Sequence, residues 1–254
     1  MAVTRSWDLA VVGNAWEMLK AQPGLWMLGT LMYVLSLIVL MIGIFAVVGS
    51  MLGQLRSVQP SFGLILPIGA RLVILGIGAV IQIITQFWLM SMMNLALKQL
   101  DGLPVGTDDL VNMRGQGGKA LLAALSVGLI ITAIMSPAQL LQSASPSVEN
   151  LGLTCVSYIL QLAAMVLMAF VGPLVIERKL TVGEALRESG KASLPSLGLA
   201  MLIYLVIALV AGLGALACGI GMVFTYAFLP LSIAATYRRY FPVQEAPPPP
   251  ATVW

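Results

Sequence analysis

The chain predicts an all-α fold, a polytopic bundle of about six membrane-spanning helices with short interfacial helices, on three observations. Of its 254 residues, 59% are hydrophobic and only 9% are charged, whereas a soluble domain carries roughly 25% charged residues. Apolar stretches long enough to cross a hydrocarbon core of about 30 Å as helices recur along the whole length. Once the spans are drawn, the basic residues fall almost wholly on one side of them.

The first element is an amphipathic helix over residues 6–20. Ser6 stands at its N-cap, and Trp7, Val11, Ala15 and Met18 share one face while Asp8, Asn14, Glu17 and Lys20 lie largely elsewhere. The helix should lie in the membrane interface. Its polar side, and the length of the apolar run after it, do not suit a cleavable leader, so the N-terminus is expected in the mature protein. Pro23 and Gly24 then break the helix. Trp7, Trp16 and Trp26 are read as interface anchors, since an amphipathic ring sits well at headgroup level.

Six spans follow, at about 25–52, 67–97, 119–136, 151–176, 196–216 and 220–237. The first two are long enough to tilt. The third is expected to end at Pro137, and the fifth turns through the sequence ACGIG into the sixth. Residues 1–241 therefore read as a single transmembrane domain, and 242–254 as a proline-rich tail, disordered or partly polyproline II.

If the spans alternate, Arg5, Lys20, Lys98, Arg114, Lys119, Arg178, Lys179, Arg187, Lys191, Arg238 and Arg239 lie on one side, and only Arg56 and Arg71 on the other. That split predicts cytoplasmic N- and C-termini. The pattern also repeats. Three times a short polar or amphipathic segment precedes two spans: SWDLAVVGNAWEMLK, TDDLVNMRGQGGK and TVGEALRESGKASLPS. The third opens with Thr181 and Glu184 at capping-box spacing. The second and third units share a late proline and a basic exit, at Pro173 and Pro230. Triplication of a helix and a hairpin is the expected architecture, with the first unit matching only loosely.

Chemistry is sparse. There is no histidine, which removes the commonest general base, metal ligand and proton switch near neutral pH. All ten acidic residues fall in loops or at span ends, against intramembrane aspartyl proteolysis and carboxylate proton relays. A Ser-Lys dyad would need Lys119 or Lys191 beside Ser126 or Ser193, but a lysine at a span start more often snorkels to phosphates. The string GQGG at 115–118 lacks phosphate-loop spacing and reads as a flexible turn. A net charge of +3 spread over short loops does not suit nucleic acid. No cofactor is expected.

A polar path is outlined by Arg71, Gln82, Gln86 and Gln161, with Gln82 and Gln86 on one helical face; the plainer reading is hydrogen bonding between helices. Glycine tracts read as close packing. The fifteen methionines show no repeated spacing suited to copper ligation and read as core filler, so no metal site is expected. Cys155 and Cys218 both fall toward the outer side, where an oxidising compartment would permit a disulfide.

The segment PLVIERKLTVGEALRESGKASLPSLGLAMLIYLV and the closing GLGALACGIGMVFTYAFLPLSIAATYRRYF resemble a broad group of bacterial six-helix membrane proteins, the membrane-domain relatives of glycerophosphoryl diester phosphodiesterase and the YciC-like proteins. The landmarks are Ala15, Trp16, Pro173, Glu184, Ala185, Ser189, Gly219, Gly221, Pro230, Tyr237 and Arg238. The resemblance covers most of the chain, rests mainly on residues 170–241, and implies a bacterial plasma membrane. The phosphodiesterase name belongs to a separate catalytic domain in fused members, so no hydrolase residues carry over. The function expected is a non-enzymatic accessory, scaffold or envelope-maintenance factor whose partners are membrane lipids and a protein partner or further copies of itself. The alternative is a transporter or lipid-handling protein.

Overall fold

A computed structural model describes residues 10–56, 68–142, 148–216 and 226–242, and among these there is no strand. The elements are α1 (Ala10–Ala21), α2 (Pro23–Arg56), α3 (Ile68–Leu100), α4 (Asp109–Asn112), α5 (Gly117–Gln142), α6 (Val148–Leu167), α7 (Val171–Glu177), α8 (Val182–Ser193), α9 (Leu197–Leu216) and α10 (Phe228–Tyr240). Five stretches of the described residues are long and apolar enough to cross a membrane. The chain is a multi-pass membrane protein with an all-α bundle. Of the expected sixth span, α10 is the described part; residues 217–225 lie outside the described residues, as do Ser6, Trp7 and the tail from 243.

The helices close into a ring. The inner layer is α3, the α6–α7 pair and α10: α10 packs on α3, and α3 on α7. The outer layer fills the gaps, with α5 against both α3 and α6–α7, α9 against both α6 and α10, and α2 against α3. Tyr33 of α2 also stacks on Tyr226, just ahead of α10, at 4.8 Å between ring centres. The amphipathic pieces follow the same rotation, each lying on the span that closes the preceding unit: α4 on α3, α8 on α7 and α6, and α1 on α10. Ala15 of α1 and Ala185 of α8 are both fully buried at these contacts, where a small residue lets the interfacial helix lie close. The described helices of the three repeated segments thus follow one order around the bundle, α10 being the described part of the third hairpin's second arm.

Outer-layer side chains such as Val39, Phe45, Leu129, Leu160 and Leu209 point outward, exposed. In lipid an apolar exterior carries no penalty, so this surface is the expected one.

One helix outruns its span and one span is interrupted. The third apolar span ends at Pro137 as expected, but α5 itself continues to Gln142. Proline removes one N–H and orphans the carbonyl four residues back; the Ser136 hydroxyl donates to that Ala133 carbonyl at 3.0 Å, so the helix carries the proline. The fourth span, in turn, is broken between Leu167 and Val171. Ser189 of α8 bridges the break, donating to the Leu167 carbonyl at 2.6 Å and accepting from the Phe170 N–H at 3.1 Å. Irregular backbone at membrane depth is tolerated where its polar groups are satisfied by protein in this way.

Candidate functional site

The inner spans all end at the charged face of the bundle, and their last residues meet. Asp101 follows α3, Glu177 closes α7, and Arg238 lies in the last turn of α10. The Arg238 guanidinium donates to both Asp101 oxygens at 2.8 Å and reaches Glu177 at 2.6 Å. Arg114 adds a second cation, 3.1 Å from Asp101 and 3.9 Å from Glu177. Two positive and two negative charges therefore form a neutral junction whose side chains are only 13 to 23% exposed. Charge-assisted bonds of this kind are strong where water is largely excluded.

The turn that supplies Arg114 is unusual. Met113, Arg114 and Gly115 have φ of 43°, 56° and 76°, a left-handed run that non-glycine residues avoid. Met113 is fully buried, so packing at one residue and ion pairing at the next hold the turn. The expected amphipathic segment here is in fact the single turn α4 followed by this tight corner. It is fixed to α3 by Ser91 donating to the Leu110 carbonyl, by Asn94 donating to the Asp109 carbonyl at 2.9 Å, and by Lys98 on Asp109 at 2.6 Å. Partial burial pushes the Asp109 carboxyl up, but the Lys98 ammonium and the Gly106 N–H outweigh this and hold it below its ordinary range.

The third unit's capping box forms as expected. Thr181 N–H and hydroxyl both donate to Glu184, and Glu184 N–H donates back to Thr181. The Thr181 hydroxyl and N–H keep the Glu184 carboxyl below its ordinary range.

The predicted anchors divide. Trp16 is half exposed and stacks on Phe228 at 5.7 Å, with Lys20 over its ring at 5.9 Å. Trp26 corrects the expectation: it is fully buried, and its indole N–H donates to Gln99 at 3.1 Å. Gln99 in turn donates to the Met18 carbonyl at 2.8 Å, so Trp26 seals the joint between α1, α2 and α3 rather than meeting headgroups. Trp7 lies outside the described residues.

The four predicted path residues are not gathered into one site. Arg71 lies in the first turn of α3, with its side chain outside the described residues. Gln82 is partly buried with its amide nitrogen unpartnered, and Gln161 is partly buried on α6. Gln86 is 95% buried and lines a small, partly open void of about 10 Å³ between α3, α5, α6, α7, α9 and α10, which neither Gln82 nor Gln161 lines. Four of the twelve residues around it are methionines, Met90 and Met93 on α3 and Met165 and Met168 at the α6 break, and most of the rest are hydrocarbon side chains. Beside it, Gly172 is required: a Cβ there would lie 2.8 Å from Met90 Cγ.

Among the described residues no group of histidine, cysteine, aspartate or glutamate is placed to hold a metal. Lys191 pairs with Glu188, and Ser126 donates to the Leu122 carbonyl. Cys155 is exposed on α6 with a free thiol, and Cys218 lies outside the described residues. An open crevice of about 700 Å³ separates Met32 of α2 from the corner of Asp108, Val111, Gly117 and Gly118.

Comparison of the chain with protein-family models, with curated proteins and with solved structures finds no match in any of the three.

Proposed function

We propose that this protein is a non-enzymatic multi-pass membrane protein, an accessory, scaffold or envelope-maintenance factor acting through its lipid-facing and interfacial surfaces. One observation carries the reading: most of the carboxylates whose side chains are described are engaged in structure, Asp108 at the open crevice being the exception. Asp101 and Glu177 are neutralised by Arg114 and Arg238, Asp109 is held by Lys98, Glu184 caps its own helix, and Glu17 and Glu188 pair with Lys20 and Lys191. Catalytic groups are ordinarily the ones left with unsatisfied or perturbed charge in a cleft.

The lopsided distribution of basic residues supports cytoplasmic termini, and the resemblance over residues 170–241 supports a bacterial plasma membrane. Ser189 and Arg238, two of the landmarks on which that resemblance rests, hold the α6 break and the charged junction.

The test is site-specific photocrosslinking in native membranes from the exposed Val39 of α2, Leu160 of α6 and Leu209 of α9. A discrete protein adduct from one face, absent from the others, is expected of a scaffold. Lipid adducts alone from all three faces, together with turnover or flux by the purified chain in proteoliposomes, would overturn the reading in favour of a transporter or lipid-handling protein.

A further inference from the structure

Two pairs of methionines line the void in the middle of the bundle. Met90 and Met93 are three residues apart on α3, and Met165 in the last turn of α6 is three residues from Met168 just beyond it; the fold brings the two pairs to one space. Met90 and Met93, at that spacing, share one face of α3. Met90 and Met93 are 2% exposed. Gln86, 95% buried, adds an amide to the lining. A buried amide costs free energy unless it is hydrogen-bonded or something occupies the space it faces. The void, of about 10 Å³, is on the scale of a single water or a single ion.

We propose that this void is a binding site for one soft monovalent cation, Cu(I), held by the thioethers of Met90, Met93, Met165 and Met168 with the Gln86 amide oxygen beside them. Thioethers are neutral, soft ligands that select Cu(I) over harder ions. No carboxylate lines the void, so a divalent ion would bring two uncompensated charges into the bundle, whereas a monovalent one brings a single charge that polarizable sulfur accommodates. Gln86 lies near the middle of the Leu75–Leu100 span, which places the site deep in the hydrocarbon. Met168 belongs to the α6–α7 break, so one ligand is carried by backbone outside a regular helix, a recurring place for intramembrane ion sites. The alternation of Met with other apolar residues hid this from the sequence: the two pairs are 72 positions apart and converge only when α6 packs across α5 toward α3. The inference stands apart from the scaffold reading, since a bundle can hold a metal ion and still act through its surfaces.

The experiment uses the full chain carrying Cys155→Ser and Cys218→Ser, so that no thiol competes, purified anaerobically in micelles and titrated with Cu(I) against a chromogenic Cu(I) chelator. One Cu(I) per chain is expected, with affinity falling by about tenfold or more in Met93→Leu/Met165→Leu. Met92→Leu should leave it unchanged, because Met92 is buried beneath Gly29 and does not line the void. Leucine conserves the volume, so the variants should fold. Selenomethionine labelling gives a second readout free of substitutions: selenium X-ray absorption should show copper at bonding distance. The proposal is overturned if the parent binds no Cu(I), if the paired variant binds as the parent does, if Met92→Leu loses binding equally, or if selenium sees no copper. In each of those cases the void holds a water on Gln86 and the methionines are filler.

Discussion

Arg238→Met is the most direct probe of the charged junction. The native guanidinium contacts both Asp101 oxygens and Glu177 within 2.8 Å. Without it, two carboxylates share Arg114 alone and the junction carries a net negative charge. Removing one partner of a buried ion pair costs about 3–5 kcal/mol. The residual exposure of these side chains, 13 to 23%, lowers the expectation to about 2–3 kcal/mol. Methionine retains most of the apolar stem, so little of this is lost packing. The measurement is equilibrium unfolding of the purified protein in mixed micelles with rising SDS, followed by helical circular dichroism. At fixed SDS the folded-to-unfolded ratio should fall by roughly 30- to 150-fold. Adding Asp101→Asn restores neutrality, and the double variant should recover at least about 1 kcal/mol relative to the sum of the single effects. A loss below about 0.5 kcal/mol in Arg238→Met, or strict additivity in the double variant, would refute the junction as the closure of the ring.

Ser189→Ala should destabilise by about 1–3 kcal/mol, because it removes the hydroxyl that donates to the Leu167 carbonyl and accepts from the Phe170 N–H; hydrogen exchange at 167–171 should rise with it. Gly128→Ala should cost about 1–3 kcal/mol, since a Cβ would lie 3.1 Å from the Ile83 backbone. Gly43→Ala meets open space and should be neutral or stabilising by up to about 1 kcal/mol, so the two alanines separate close helix contact from a generic glycine effect in one thermal-unfolding series. The Asp109 carboxyl titrates below its ordinary value of 3.8 in the folded state. Its stabilising contribution is therefore complete above that value and is lost as pH falls through the lower folded one. Parent and Asp109→Asn should differ in melting temperature at neutral pH and converge in strong acid; a gap that closes between neutrality and pH of about 5 would contradict the assignment.

Features whose partners are close along the chain were legible before the fold. The Thr181–Glu184 box spans three residues and could be read directly. That charged span ends gather at one face was legible as well, because it depends on composition within short loops: Lys98, Arg114 and Arg238 all pair there. What each charge does was not: Arg238 meets Glu177 across 61 positions and Asp101 across 137, and nothing in either neighbourhood names the other. Trp26 illustrates a different obstacle. A tryptophan at a span start looks the same whether it faces headgroups or a neighbouring helix, and only the packing of Gln99 against α1 decides between them. That α5 runs on past Pro137 was not legible, because the rescue comes from the adjacent Ser136, a local compensation that proline statistics average away. The thioether pairs were invisible for the same reason as the junction.

The closure of the ring also sets an order of events during synthesis. Asp101 is made 137 residues before Arg238, and α1 emerges long before α10, the helix it lies on. While the chain is being inserted, Asp101 and Glu177 have only Arg114 to share between them, and the buried face of α1 has nothing to cover it. A chain halted before its last hairpin is therefore left with both defects at the membrane surface, an unbalanced negative charge and an uncovered amphipathic helix. A surveillance protease would meet those features in an unfinished molecule and not in a completed one, so α10 is the element whose arrival removes both at once.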